Sequence, residues 1–206
     1  KEIFLHNIES MTKPNHIFRR LIVVMALSFS VICAIAADRY SVASNDWNQT
    51  STWSASSGGA SGASAPVAGD NVYIEGGYTV NVNSNVACAN LSIASGATLR
   101  VRGTDLTVNG TTIANGTISF TNSAAGTKTF IGRVTISSTG TWSNTSNAPI
   151  TFRGGITDNG TFTAGTAAQT FNTNSQTIDG STAQTLPSIV ITGITLTNAN
   201  TTGLSV

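Results

Sequence analysis

From residue 79 onward the chain alternates apolar and polar positions in short bursts broken by glycine-led turns. Leu91-Ser92-Ile93 precedes Ser95-Gly96-Ala97-Thr98-Leu99, Leu106-Thr107-Val108 precedes Asn109-Gly110-Thr111, and Val134-Thr135-Ile136 precedes Thr139-Gly140-Thr141-Trp142. The unit returns as Gly155-Ile156-Thr157-Asp158-Asn159-Gly160-Thr161-Phe162 and as Ile189-Val190-Ile191-Thr192-Gly193-Ile194-Thr195-Leu196. Successive side chains of a strand point to opposite faces, so each burst predicts a short strand that buries one row. The predicted row is Val80, Val82, Leu91, Ile93, Leu99, Val101, Leu106, Val108, Ile118, Phe120, Val134, Ile136, Ile150, Phe152, Phe162, Phe171, Ile189, Ile191, Ile194 and Leu196. Asn-Gly, Ser-Gly and Thr-Gly pairs between the strands supply turn conformations.

The Gly-Thr steps at Gly116, Gly140 and Gly160 lie 24 and 20 residues apart, a solenoid-sized period. No helical pattern follows residue 37, so parallel strands cannot be joined by helical crossovers. The pattern predicts an all-β fold, a parallel β-helix (β-solenoid) with coils of 20–24 residues, about six of them over residues 79–206. The alternative is an antiparallel β-sandwich. Residues 38–78 are expected to cap the first coil, with Trp47 and Trp53 flanking Asn48-Gln49-Thr50 and a Ser/Gly/Ala run leading to Pro66. No comparable cap is legible before Val206, so the repeats are expected to continue beyond it.

The start of the chain reads as an address. From Met11 a basic stretch (Lys13, Arg19, Arg20) is followed by the apolar run Leu21–Ala37, which closes on small residues. That is the layout of a secretory signal peptide over residues 11–37, with cleavage expected around Ala36 and Ala37. The run has 17 residues and no basic stop-transfer cluster after it, so no membrane span is expected in the mature chain. Cys33 follows Ile32, too large for a lipid-attachment signal. Residues 1–10 precede the first Met and are set aside as upstream sequence.

Thr, Ser, Gly and Asn make 95 of the 206 residues, and only 9% are charged. The mature region carries six basic and seven acidic side chains, so it lacks the basic excess that nucleic acid or anionic lipid would require. Both histidines lie in the leader region, and Cys88 is the one cysteine after it. Histidine-based triads, thiolate zinc sites and an internal disulfide are thereby excluded after residue 37.

Several stretches resemble a known kind of protein. Asp46-Trp47, Ser51-Thr52-Trp53, Pro66 with Gly69-Asp70-Asn71-Val72-Tyr73-Ile74, Gly76-Gly77-Tyr78-Thr79-Val80, and Leu91-Ser92-Ile93 with Gly96-Ala97-Thr98-Leu99 are similar to the opening module of large secreted β-helix surface proteins of Bacteroidetes-type bacteria. The module is similar to the eight-glycine extracellular domain, and Phe152-Arg153-Gly154-Gly155-Ile156, Asn159-Gly160-Thr161-Phe162 and Gln169-Thr170-Phe171 resemble the repeats that follow it. The resemblance spans residues 45–206 and implies an adhesin-like or stalk-like protein exported by type IX secretion, whose sorting domain this sequence does not contain.

What remains for catalysis is carboxylate chemistry. Asp105, Asp158 and Asp179 with Lys128, Arg133 and Arg153 are the candidates, since glycoside cleavage needs two opposed carboxylates and β-helix lyases combine acidic calcium ligands with a basic residue. Asp158 and Asp179 precede Asn-Gly and Gly, which are ordinary turn positions. Asp70 and Glu75 flank a strand and could hold Ca²⁺ with backbone carbonyls, but a cap turn and a solvated charge account for them better. The expected function is therefore non-catalytic: no enzyme, no cofactor and no metal. Trp142, Tyr73 and Tyr78 are the candidate ligand contacts, through stacking on sugar rings, although a single tryptophan in an alternating strand more often belongs to the core. The Thr-x-Thr pairs at 127/129, 139/141, 161/163 and 195/197 would form an ice-binding array only if aligned on one face, and their spacing is irregular.

The chain is thus expected to be a secreted or cell-surface solenoid segment that contacts extracellular glycans or cell-surface proteins after passing the secretion machinery. The alternative is the scaffold of a carbohydrate-active β-helix enzyme, a lyase or hydrolase whose active coils lie downstream.

Overall fold

The structure, a computed structural model, describes residues 36–206. Of the expected signal peptide only Ala36 and Ala37 fall within it, and the rest, with residues 1–10, lies outside the described residues. Strands β1 (Asp38–Ser41), β2 (Asn45–Asp46) and β3 (Trp53–Ser54) come first. Six coils of three strands follow: β4 (Asn71–Ile74), β5 (Thr79–Val82) and β6 (Val86–Cys88); β7 (Leu91–Ile93), β8 (Thr98–Val101) and β9 (Leu106–Val108); β10 (Thr112–Ala114), β11 (Thr117–Phe120) and β12 (Lys128–Phe130). The chain continues with β13 (Val134–Ile136), β14 (Thr141–Asn144) and β15 (Ile150–Phe152); β16 (Ile156–Asp158), β17 (Thr161–Thr163) and β18 (Gln169–Asn172); β19 (Gln176–Gly180), β20 (Gln184–Thr185) and β21 (Ile189–Thr192). Two strands, β22 (Leu196–Asn198) and β23 (Leu204–Ser205), begin a further turn.

The first strands of the coils stack into sheet A, in the order β22-β19-β16-β13-β10-β7-β4-β1, with β3 on the outer edge of β1. Sheet B runs β17-β14-β11-β8-β5-β2 and sheet C runs β21-β18-β15-β12-β9-β6. Only the β1–β3 pair is antiparallel, and every other pair is parallel, which makes the fold a β-solenoid of about seven turns and rules out the antiparallel sandwich. One coil advances 19 residues from Val72 to Leu91, 22 from Val134 to Ile156 and 24 from Thr117 to Thr141, so the period is close to the sequence-based one. The rungs begin before Thr79: β1, β2 and β4 already belong to sheets A and B, and Trp47 and Trp53, both buried, pack edge to face at 5.3 Å under the β3 edge.

In-register stacking sorts the inward side chains into columns. Cys88, Val108, Phe130, Phe152, Phe171 and Ile191 form one column of sheet C, and Val80, Leu99, Ile118, Trp142 and Phe162 form one of sheet B. Neighbouring rings stack at 6.0 Å (Phe130–Phe152), 5.3 Å (Phe152–Phe171) and 5.6 Å (Trp142–Phe162). Full burial of side chains of this size contributes about 1.5–3 kcal/mol each. The predicted row is buried up to Phe152 and again at Phe171. Phe162, Ile189, Ile194 and Leu196 are half-buried, and Ile191 is 51% exposed because β21 is the last strand of sheet C and nothing stacks above it.

Corners between sheets A and B bring two coils into backbone contact. A Cβ on Gly116, Gly140 or Gly160 would strike the carbonyl oxygen of Ala94, Ala114 or Ser137 of the preceding coil. Forcing a methyl into so close an approach costs about 1–3 kcal/mol. Gly140→Ala is expected to destabilise the solenoid by that amount, read as a lower urea midpoint, whereas the same change at Gly69, where a Cβ meets nothing, leaves the midpoint within experimental scatter.

Candidate functional site

The register that builds the core also lines up the outward side chains. On sheet B, Thr79, Thr98, Thr117, Thr141 and Thr161 occupy one column, and Asn81, Arg100, Ser119, Ser143 and Thr163 the next. Coils are about 4.8 Å apart and alternate residues of a strand about 7 Å apart, so these groups form a two-row polar lattice. Close corner packing at Gly116, Gly140 and Gly160 places the threonine that follows each glycine at the same point of its coil. Threonine suits these positions because a β-branched side chain packs well on a pleated surface.

Sheet C carries a single outward column, Thr107, Thr129, Thr151 and Thr170, continued by Val190. Sheet A has no repeating residue: its outward column reads Tyr73, Ser92, Ile113, Thr135, Thr157 and Asp179. The Thr-x-Thr pairs singled out in the sequence do not share a face. Thr129 lies on sheet C, Thr141, Thr161 and Thr163 on sheet B, and Thr197 on sheet A. The lattice that does form was legible only as threonine one or two residues after a glycine in successive coils.

Sheet B stops at β17, and β20 of the next coil pairs with β23 instead. This break leaves a cavity of about 300 Å³ lined by Phe162, Thr163, Ala164, Gly165, Thr166, Thr185 and Pro187. Phe162 and Thr163 belong to β17, so the cavity adjoins the end of the threonine lattice.

The aromatic contacts expected from sequence are disposed differently. Trp142 is fully buried with its ring among Phe120, Phe130, Phe152 and Phe162, which takes it out of reach of a sugar. The strand's alternation places Thr141 and Ser143 outward and Trp142 inward. Tyr73 is half-buried and stacked face to face on Tyr40 at 4.7 Å, and Tyr78 is half-buried at a separate corner, after Gly77.

The candidate acid and base residues are not brought together. Asp158 points into the core, in the column Ile74-Ile93-Ala114-Ile136-Asp158, while Asp179 projects outward from β19 and pairs with Arg133, whose Nε donates to Thr157 Oγ1 at 2.7 Å. The two carboxylates lie on opposite faces of sheet A and cannot flank one bond. Asp105 accepts the Thr127 amide at 2.6 Å and the Thr127 hydroxyl, which holds its carboxyl below the usual range. Lys128 is buried between Leu106 and Ile150, with Nζ donating to the carbonyls of Ala125 and Gly126, and burial lowers its pKa. Arg153 enters through its backbone, its N–H donating to Phe130 O at 2.9 Å and its carbonyl accepting from Asn174 Nδ2 at 3.2 Å.

Both candidate calcium ligands have donors of their own. Asp70 accepts the amides of Ala37 at 3.0 Å and Val67 at 3.1 Å, and Glu75 accepts the Ser57 hydroxyl and the Gly58 amide. Among the described residues no three His, Cys, Asp or Glu side chains converge. Cys88 is buried, and burial together with the Asp70 charge pushes its thiol up to about 12. No protein-family model, curated protein or solved structure matches the chain.

Asp158 is the buried carboxylate of the core with unmet hydrogen-bonding capacity. Its Oδ1 accepts the Gly160 amide at 3.0 Å, but Oδ2 has no partner, and the Gln184 amide beside it makes no well-directed bond. Desolvation raises the Asp158 pKa above that of an unfolded aspartate. The native state therefore holds the proton to higher pH than the unfolded chain does. Stability from this group is full below about pH 3.9, is lost as pH rises through the folded pKa, and stays lost above it. Asp158→Asn is expected to stabilise the protein by about 1 kcal/mol at pH 7 and to converge with the wild type near pH 3, measured by denaturant titration across that range.

Proposed function

We propose that this chain is an exported, non-catalytic solenoid segment that presents the sheet B face to polysaccharide at a cell surface. The observation that carries the reading is the in-register column Thr79-Thr98-Thr117-Thr141-Thr161 with its neighbour Asn81-Arg100-Ser119-Ser143-Thr163. A glycan offers repeated hydroxyls along its length, and a rigid row of hydroxyl and amide groups pairs with such a chain without reorganising, which keeps the ordering cost of binding low. The cavity beside β17 adds an apolar wall, Phe162, against which one sugar ring packs. The resemblance to secreted surface β-helix proteins and the leader-like start are consistent with this reading.

The same lattice favours a second reading, adsorption to ice, because a two-dimensional array of hydroxyls at fixed spacing is what an ordered water surface would match. One set of variants separates the readings. Thr117→Tyr with Thr141→Tyr roughens sheet B while keeping strand-forming residues, and Thr129→Tyr with Thr151→Tyr does the same on sheet C. Sedimentation with cellulose and chitin particles is expected to show at least tenfold weaker binding for the sheet B pair and unchanged binding for the sheet C pair. Freezing-point hysteresis that vanishes in the sheet B pair, without particle binding in the wild type, selects ice. Neither activity, or equal loss from both pairs, overturns both.

A further inference from the structure

The residue at which the leader is expected to end sits on a buried carboxylate. Ala34-Ile35-Ala36 is a small-x-small triplet of the kind that precedes signal-peptide scission, so the bond it marks is Ala36–Ala37. Ala36 is exposed, which leaves that bond on the surface. Ala37 is already a member of the fold: its carbonyl accepts the Asn71 amide at 2.9 Å, extending the β1–β4 ladder, and its own N–H donates to Asp70 Oδ1 at 3.0 Å. Asp70 is 4% exposed. Its Oδ2 takes the Val67 amide, and the one cation near it, Arg39 Nε, stands 4.0 Å away and donates instead to Ser64 O at 2.9 Å. The carboxylate is thus buried in the cap with two backbone amides as its donors and its one cationic neighbour at the outer limit of ion-pairing distance, which leaves place for a closer positive partner.

We infer that the leader is removed between Ala36 and Ala37 and that Asp70 is the binding site for the α-ammonium so created. The inference rests on the export reading above. Water adds across the peptide bond under the exporting cell's leader peptidase: the hydroxyl goes to the Ala36 carbonyl carbon, which departs as a carboxylate. The Ala37 nitrogen keeps the electron pair and takes up protons to become an ammonium. An amide hydrogen bond to a carboxylate is thereby replaced, at the same position, by an ion pair with three donors. Scission completes the cap: the start of β1, the Pro66–Asp70 turn and β4 are then held at one charged point.

The protein makes this measurable, because Lys128, with its buried ammonium, is the one lysine after Ala37, so the α-amine is the only accessible amine. The full chain, leader included, is expressed in a secreting bacterial host, and the exported product is weighed intact and reacted with an acetylating reagent. A mass starting at Ala37 is expected. A start at any other residue overturns the inference while leaving export intact, and a retained leader overturns the export reading as well. Followed at the N-terminal peptide, so that Lys128 released by denaturant is not counted, the folded protein is expected to acetylate at least tenfold more slowly than the same protein in denaturant, and Asp70→Asn to remove that protection. Should Asp70→Asn not fold, the pH dependence of acetylation in the wild type decides. Pairing with Asp70, with Arg39, Asp38 and Cys88 the other titrating groups nearby, moves the amine midpoint above the ordinary range of about 7.7–8.0, whereas burial alone moves it below. Equal folded and denatured rates, or a lowered midpoint, overturn the pairing.

Discussion

Everything in this solenoid depends on the backbone ladder that holds each coil directly above the one before it. A strand of three or four residues has no stability of its own, and none of the coils encloses a core alone. What it has is a parallel neighbour on each side in three sheets, fixed in register so that, from β4 onward, residue n meets residue n + 19 to n + 24. Register turns sequence periodicity into columns, and columns turn modest individual contacts into a continuous core. The aromatic run Phe130, Phe152 and Phe171, flanked by Trp142 and Phe162, exists because one phase of the repeat carries rings in successive coils.

The same constraint explains how polar residues enter the core. Asn144 occupies a column position where Phe120 lies one coil below, and both ends of its amide are engaged: Nδ2 donates to the carbonyls of Ala148 and Ala164 at 2.8 and 2.7 Å, and Oδ1 accepts the Ala148 amide at 2.9 Å. Gln176 does the same with Phe152, Asn172 and Gly155. Each ties two coils together at a corner where the sheet ladder lapses and backbone groups would otherwise go unpaired. Asp158 is less well served, since an ionised carboxylate supplies no donor and the carbonyls around a corner need donors, and the Gln184 amide beside it is likewise unpartnered. A buried amide is an asset here only where its corner offers both carbonyls and an N–H, as at Asn144 and Gln176.

Sequence alternation was a good guide to the middle of the chain and a poor one at its margins. Leu91, Ile93, Leu99, Val101, Val134 and Ile136 could be placed inside because period two and short glycine-bounded runs leave a strand no other option. The first rungs were harder to see: β1 and β4 are separated by a 33-residue excursion through Trp47 and Trp53, which hides the period, so residues 38–78 read as a cap. Lys128, Asn144 and Gln169 were invisible as core residues because their chemistry suggests the surface. Their phase, matching Leu106, Val101 and Ile150 in other coils, was the available signal. Trp142 could be read both ways, with the core the commoner place for a tryptophan in an alternating strand, and the stacking of Ile118 beneath it settles the inward face.

Register also decides which face can act as a recognition surface. Any residue type that recurs once per coil becomes a straight line at the strand spacing, whereas a type that recurs off phase is scattered over three faces, as happened to the Thr-x-Thr pairs. Sheet A cannot serve as a uniform surface: the stacked pair Tyr40 and Tyr73, the exposed Ile113 and the Arg133–Asp179 ion pair give every coil a different chemistry. Sheet C offers one line of hydroxyls and ends in the apolar Val190 and Ile191. Sheet B alone combines two parallel polar lines with an apolar recess where its ladder breaks. Because single hydroxyl contacts are weak and exchangeable with water, such a face discriminates through the summed fit of many equivalent groups to a ligand of matching repeat. That is a property of the stack, carried by no one residue.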